Sequence, residues 1–213
     1  MTAFNDDILP AEPDPSAADA RAPEGDFVLT FAPREAEAVS RLYALSACIL
    51  EYGSGGSTVL AAELGKQIFT VESDKLWADR LAARVAGLPG TVHMHHVDIG
   101  PTGDWGMPTR PKSHASFHRY PLSVWDRPDM PEPDLVLIDG RFRAACLVAT
   151  KLRTKRPVTV LFDDYHHRRI YHRVERLATL DQMIGRMAVF TVEPGPIPPD
   201  MLTEVVGWFS DPR

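Results

Sequence analysis

Apolar positions in this chain follow two rhythms. Short runs (Cys48-Ile49-Leu50, 67–71, 91–97, 135–138 and 157–162) have the length and apolar or β-branched content of strands, and those at 135–138 and 157–162 have the uncharged continuity of strands covered on both faces. Between them, apolar residues spaced three and four apart predict helices over 33–45, 58–64, 75–86, 143–152 and 166–178. Pro33 with early glutamates, Ser57 and Asp74 mark helix starts, and Gly65 and Gly87 mark stops. In the helix over 75–86 the inner stripe is read as Leu76, Trp77, Leu81, Ala82 and Val85. Toward the end of the chain, 187–192 and 204–209 read as two closing strands joined by a proline-rich loop. Strands alternating with helices imply an α/β domain around a mostly parallel sheet.

The punctuation of these runs carries the candidate chemistry. The first strand breaks into Glu51-Tyr52-Gly53-Ser54-Gly55-Gly56-Ser57, a glycine-rich turn before a helix, where the backbone can approach a ligand closely. Counted from Gly53, the sixth residue is Thr58, not the glycine of a dinucleotide fingerprint. Glu51 would repel a diphosphate but suits the ammonium of an amino-acid moiety. Glu72, at the end of the second strand, is placed to accept both hydroxyls of a ribose. Asp98, Asp139 and Asp163 end later strands, so one acid stands at each carboxyl end, the edge where ligands bind in such sheets.

Glu51, Gly53, Gly55 and Ser57 match in order the first motif of class I S-adenosylmethionine-dependent methyltransferases, an acid followed by Gly-x-Gly-x-Gly or Ser. The resemblance covers roughly residues 33–213. It implies a Rossmann-like sheet of seven strands, mostly parallel with an antiparallel last strand, and helices on both faces. It further implies S-adenosylmethionine as cofactor, held by Glu51, Gly53, Ser54, Gly55, Ser57, Glu72 and Ser73, with Asp98 beside the adenine amine and Ile99 against the ring. A helix ahead of the first strand commonly covers one side of the cleft in this family; simple packing on the sheet is the other reading for 33–45. Two alternatives remain: a nicotinamide-dependent oxidoreductase, disfavoured by Thr58, Glu51 and the terminal strand pair, and a non-catalytic protein that binds the same cofactor.

Asp139, Asp163 and Asp164 form an all-oxygen ligand set suited to Mg²⁺ or another divalent cation. The set is similar to that of catechol-type O-methyltransferases, with Asp164 in place of an asparagine and Phe142 in place of a base. The expected reaction is O-methylation of a small molecule or sugar, with metal assistance open, and with Asp139, Asp163 and His166 as catalytic residues. Asp163 and Asp164 read equally well as caps of the next helix. Arg141 and Arg143 can orient an anionic acceptor. His93, His95 and His96 are close in sequence, but strand alternation puts His96 on the opposite face from the other two, which argues against a metal site.

Residues 100–133, with seven prolines and with Trp105, Phe117, Tyr120 and Trp125, read as a substrate-side lid or a packed insertion within the domain of residues 27–213; His114, His118 and Tyr120 are its candidate acceptor contacts. Residues 1–26 carry seven acids, one base and four prolines and read as a disordered acidic arm. Acids and bases balance in the remainder, so the net charge of −6 belongs to the arm and no basic surface suggests a nucleic-acid partner. No segment reads as a secretory signal or a membrane span, and a cytoplasmic protein is expected, with homo-oligomerisation open. Cys48 and Cys146 lie in apolar runs and read as buried free thiols.

Overall fold

Parallel pairing of the apolar runs builds the centre of the molecule. A computed structural model describes residues 27–213, and the acidic arm lies outside them. In chain order the elements are α1 (Pro33–Leu45), β1 (Cys48–Tyr52), α2 (Gly56–Glu63), β2 (Gln67–Glu72), α3 (Lys75–Val85) and β3 (Thr91–His96). Short helices α4 (His114–Phe117) and α5 (Arg119–Leu122) precede β4 (Leu135–Ile138), α6 (Arg143–Arg153) and β5 (Val158–Phe162). The chain closes with β6 (Thr179–Ile184), β7 (Met187–Val192) and α7 (Leu202–Trp208).

The seven strands lie in the order β3-β2-β1-β4-β5-β7-β6. All neighbours from β3 to β5 are parallel; β7 is antiparallel to β5 and to β6, so β7 alone runs against the rest. The order reverses between β1 and β4, which makes their carboxyl ends the switch point where a ligand crevice is expected.

Alternation along the strands feeds two cores. Ile49, Ile68, Leu135, Leu137 and Leu161 pack under Val39 and Tyr43 of α1 and Ala61 of α2. Leu50, Tyr52, Phe69, Val71, Ile138 and Phe162 face the other way, against Tyr120, Val124, Phe142, Leu147 and Trp208. The helix at 33–45 therefore packs on the sheet, the plainer of its two readings.

Three local expectations are corrected. Residues 204–208 belong to α7, with Phe209 as its C-cap and Val205 and Trp208 on its buried face, and the partner of β7 is instead Thr179–Ile184. That strand lies at the sheet edge, and its mostly exposed residues show no apolar alternation. The segment 166–178 is a set of turns followed by a 3-10 helix, Arg169–Arg176, although Tyr171, Val174 and Leu177 do form its inner face. In α3 the buried stripe is Ala78, Leu81 and Val85, while Leu76 and Ala82 face solvent.

The 100–133 segment is mainly a packed connection. Phe117, Tyr120 and Val124 are buried in the core of that sheet face. Its beginning lies over the end of β2, where the Gly106 carbonyl accepts from Ser73 Oγ at 3.5 Å, beside the 68% exposed Trp105, whose φ is +57°. His93 stacks on Phe69, His95 bonds Ser123, and His96 is exposed, so the histidines make no metal site. Both cysteines are buried and free.

Candidate active site

The glycine turn after β1 is positioned by main-chain contacts. Gly53 has φ +92°, and a Cβ there would come within 2.7 Å of the Gly140 backbone. Its glycine requirement is therefore set by the touching ends of β1 and β4, and not by a ligand. Gly56 is similarly constrained by the main chain of Val28 and Leu29. Gly55 differs: a Cβ there would meet only Trp77 Cζ2, at 3.9 Å. Packing does not ask for glycine at Gly55, and the missing side chain leaves a cradle at the start of α2. Trp77 Nε1 donates to the Ser54 carbonyl at 2.8 Å and holds the turn over α3.

One of the acids expected to face the cofactor, Glu51, has inward partners. Tyr52 still belongs to β1, so Glu51 is an interior strand residue and shares the face of Ile49. It is wholly buried; Ser57 Oγ donates to its Oε1, Thr58 Oγ1 to its Oε2, and Tyr43 OH reaches Oε1 at 3.4 Å. Burial pushes its carboxyl up to about 7 against the lowering effect of these hydroxyls. The expected contact from Glu51 to a ligand ammonium is therefore corrected to an internal bond. Ser57 is likewise not a cap: Gly55 is the N-cap residue, and the Ser57 hydroxyl serves Glu51.

Glu72 does lie at the rim, 8% exposed, with its carboxylate fully engaged. Oε1 accepts from the amides of Ser73 at 2.7 Å and Asp74 at 2.9 Å, and Oε2 accepts from the Ser54 amide at 3.3 Å and hydroxyl at 2.7 Å. Those donors match the roughly four lone-pair sites of a carboxylate. Asp98 is exposed at the end of β3 and accepts from the Gly100 amide at 2.8 Å. Ile99 is completely buried in the core, which corrects its expected place against an adenine ring.

Across the switch point, Asp139, Asp163 and Asp164 bring one oxygen each within 4.8 Å of one another. Three arginines meet them. Arg186, from the β6–β7 turn, holds buried Asp163 with both oxygens, Nε to Oδ1 at 3.0 Å and Nη2 to Oδ2 at 2.8 Å. Arg143, at the start of α6, pairs with Asp139 at 3.2 Å and Asp164 at 3.1 Å and also donates to the Gly140, Asp139 and Asp163 carbonyls. Arg168 takes Asp164 Oδ2 at 2.9 Å.

The donor set alone suits a hard cation, but the charges are already offset and the facing oxygens already bonded. A divalent ion would have to displace guanidiniums, so these residues do not fit a resident metal. They also do not cap a helix. Burial first, and then the Asp163 charge, hold the Asp139 carboxyl well above the usual carboxylate range. His166 is exposed and packs its ring on His167 at 4.6 Å, and the bonds and ion pairs that hold the acid cluster come from arginines, so its expected catalytic place is corrected.

Of the lid contacts, Tyr120 is buried, its hydroxyl reaching the Val71 carbonyl at 3.4 Å and receiving the Arg141 amide at 3.4 Å; His114 and His118 are exposed. Sequence reasoning missed Arg186 and Trp77 as organisers of the site. Trp77 is visible as an aromatic on the helix after β2, whereas nothing local ties Arg186 to an aspartate 23 positions earlier.

No family model matches the chain, and no curated protein does. A solved methyltransferase-like protein from Silicibacter pomeroyi DSS-3 is 47% identical, with a TM-score of 0.84 over 88% of this chain and 99% of its own. An O-methyltransferase from Bacillus cereus, solved in complex with SAH, is 16% identical, with a TM-score of 0.52 over 76% of this chain and 82% of its own. A SAM-dependent O-methyltransferase from Thermotoga maritima is 12% identical, with a TM-score of 0.51 over 79% of this chain and 68% of its own. At these identities the last two share the fold.

Proposed function

This chain belongs to the class I S-adenosylmethionine-dependent methyltransferase family, and from that premise we propose that it methylates an oxygen of a small-molecule acceptor, with Asp139 taking the acceptor's proton. The observation that carries the reading is the position of Asp139. It directly follows the last residue of β4 and precedes Gly140, which touches Gly53 of the glycine turn, and burial together with the Asp163 charge raises its affinity for a proton. The O-methyltransferases among the structural neighbours support oxygen as the acceptor atom.

On the donor side, Gly55 provides the close approach, Glu72 with Ser54 and Ser73 meets the ribose, and exposed Asp98 meets the adenine edge. The Ser54 hydroxyl stands on Glu72 Oε2 where a ribose hydroxyl would bond, so binding exchanges one hydroxyl for another. Bound there, S-adenosylmethionine supplies an electrophilic methyl group. An Asp139 oxygen would take the proton that the acceptor hydroxyl gives up as it accepts that methyl group. Arg143 fixes that carboxyl through Oδ1 at 3.2 Å, and Asp163, clamped by Arg186, keeps its proton affinity high. The chain's part is thus positioning and proton acceptance, and no step runs through a metal.

The test combines calorimetry with S-adenosylhomocysteine and turnover against a panel of small hydroxylated acceptors. Asp139→Asn should lower turnover by about 10²–10⁴-fold with donor affinity and melting temperature little changed, and chelator should leave turnover intact. Undiminished turnover in Asp139→Asn removes the assigned base; loss of activity on chelation restores the metal.

A further inference from the structure

Buried polar side-chain atoms are almost always paired, so the exceptions invite an explanation. Among the described residues, three buried side-chain atoms have no hydrogen-bond partner: Thr70 Oγ1, Arg141 Nε and Tyr171 Oη. Thr70 lies opposite Glu51 in the sheet, away from the rim. The other two belong to one neighbourhood. Arg141 immediately follows Gly140 at the end of β4, and the Tyr171 phenol is within electrostatic reach of Arg141, Arg143 and Arg213.

Their charge state sharpens the contrast. Arg143, Arg168 and Arg186 each meet a carboxylate, whereas Arg141 has no acid within ion-pair distance among the described residues. Burial, and after it the Arg143 charge, lower the Arg141 proton affinity, as expected for a guanidinium without a counter-ion. Tyr171 is held 2% exposed with its ring 5.0 Å from Phe162, so its hydroxyl is fixed in place without a partner. A planar cation two residues after the proposed proton acceptor and a phenol donor near it, each with a buried unpaired atom, make the recognition chemistry of an oxyanion.

We propose that Arg141 and Tyr171 form an anion subsite that receives a carboxylate or phosphate carried by the methyl acceptor. This rests on the methyl-transfer reading above and narrows its acceptor to an anionic small molecule. The fork of Arg141 orients the anion, the Tyr171 hydroxyl donates to it, and the acceptor's reacting oxygen is turned toward Asp139.

The test titrates inorganic phosphate and, separately, succinate into protein saturated with S-adenosylhomocysteine, for wild type, Arg141→Gln, Arg141→Lys and Tyr171→Phe. The expected result is binding of one or both anions by wild type, about tenfold or more weaker binding in Arg141→Gln, weaker binding in Tyr171→Phe, partial recovery in Arg141→Lys, and unchanged S-adenosylhomocysteine affinity in all. Preference between the two anions tells carboxylate from phosphate. Wild type that binds neither anion, or variants that bind as wild type does, overturns the subsite. So does an Arg141→Gln variant that loses S-adenosylhomocysteine yet keeps 5′-methylthioadenosine, because Arg141 would then hold the donor's own carboxylate. If wild type fails to bind S-adenosylhomocysteine, the donor reading fails, and the same anion titrations on donor-free protein still decide the subsite.

Discussion

The two sides of the switch point solve opposite electrostatic problems. On the β1–β2 side, Glu51 and Glu72 are carboxylates whose oxygens are taken by hydroxyls and amides of nearby residues, with no cation among their bonds. On the β4–β5 side, three carboxylates are held by arginines drawn from α6, the turn after β5 and the β6–β7 turn. The first side is bonded by uncharged donors; the second is bonded by guanidiniums, two of them four residues from the acid they meet and Arg186 23 residues from Asp163, and leaves Arg141 over. Bonding by uncharged donors shapes a cradle, whereas charge pairing can leave a charged group available for chemistry.

Breaking the charge-paired side should have the largest effect. Arg186→Met leaves Asp163 buried without its bidentate partner, and should cost about 3–5 kcal/mol of unfolding free energy, read from urea denaturation; a loss below about 1 kcal/mol would show that the clamp is ordinary surface pairing.

The side bonded by uncharged donors is tested by pH. The Glu51 carboxyl titrates at about 7 in the folded protein, against an ordinary value of 4.5 once the chain unfolds. Between these the native state keeps a proton that the unfolded chain has lost, so this contribution is full below 4.5, falls as pH rises to about 7 and is flat above. The separation corresponds to about 3 kcal/mol. Glu51→Gln should remove that fall, and parallel stability–pH curves for variant and wild type would contradict it.

A smaller effect separates the two glycines. Gly53→Ala, with its positive φ and its clash on Gly140, should lose about 1–3 kcal/mol. Gly55→Ala should stay within about 0.5 kcal/mol of wild type while weakening S-adenosylhomocysteine in calorimetry. Equal stability losses would erase the distinction drawn between them.

The parallel core was legible because five apolar runs each end in a polar residue near the same edge. What the pattern did not carry was side-chain direction. Glu51 reads as a strand-end acid until Tyr52 is recognised as the last residue of β1, and strand alternation then turns the carboxylate toward α1. Thr179–Ile184 was hidden because an edge strand needs no apolar alternation, and its pairing is interrupted between Leu180 and Gln182. Residues 204–209 carry β-branched and aromatic side chains, yet Val205 and Trp208, three apart, are what the core buries. In the site, the acids could be located from sequence, and Arg143 and Arg168 stand four residues after the aspartates they meet, but Arg186 reaches Asp163 from a separate turn, and only the fold brings those two together.

The main-chain contact between Gly53 and Gly140 has a mechanical consequence. With no side chain to act as a cushion, displacement of either lip presses directly on the other, so occupancy by the methyl donor would be registered one van der Waals layer away, at the residues flanking Asp139 and Arg141. Neither position can drift alone to a bulkier residue without prising the two lips apart.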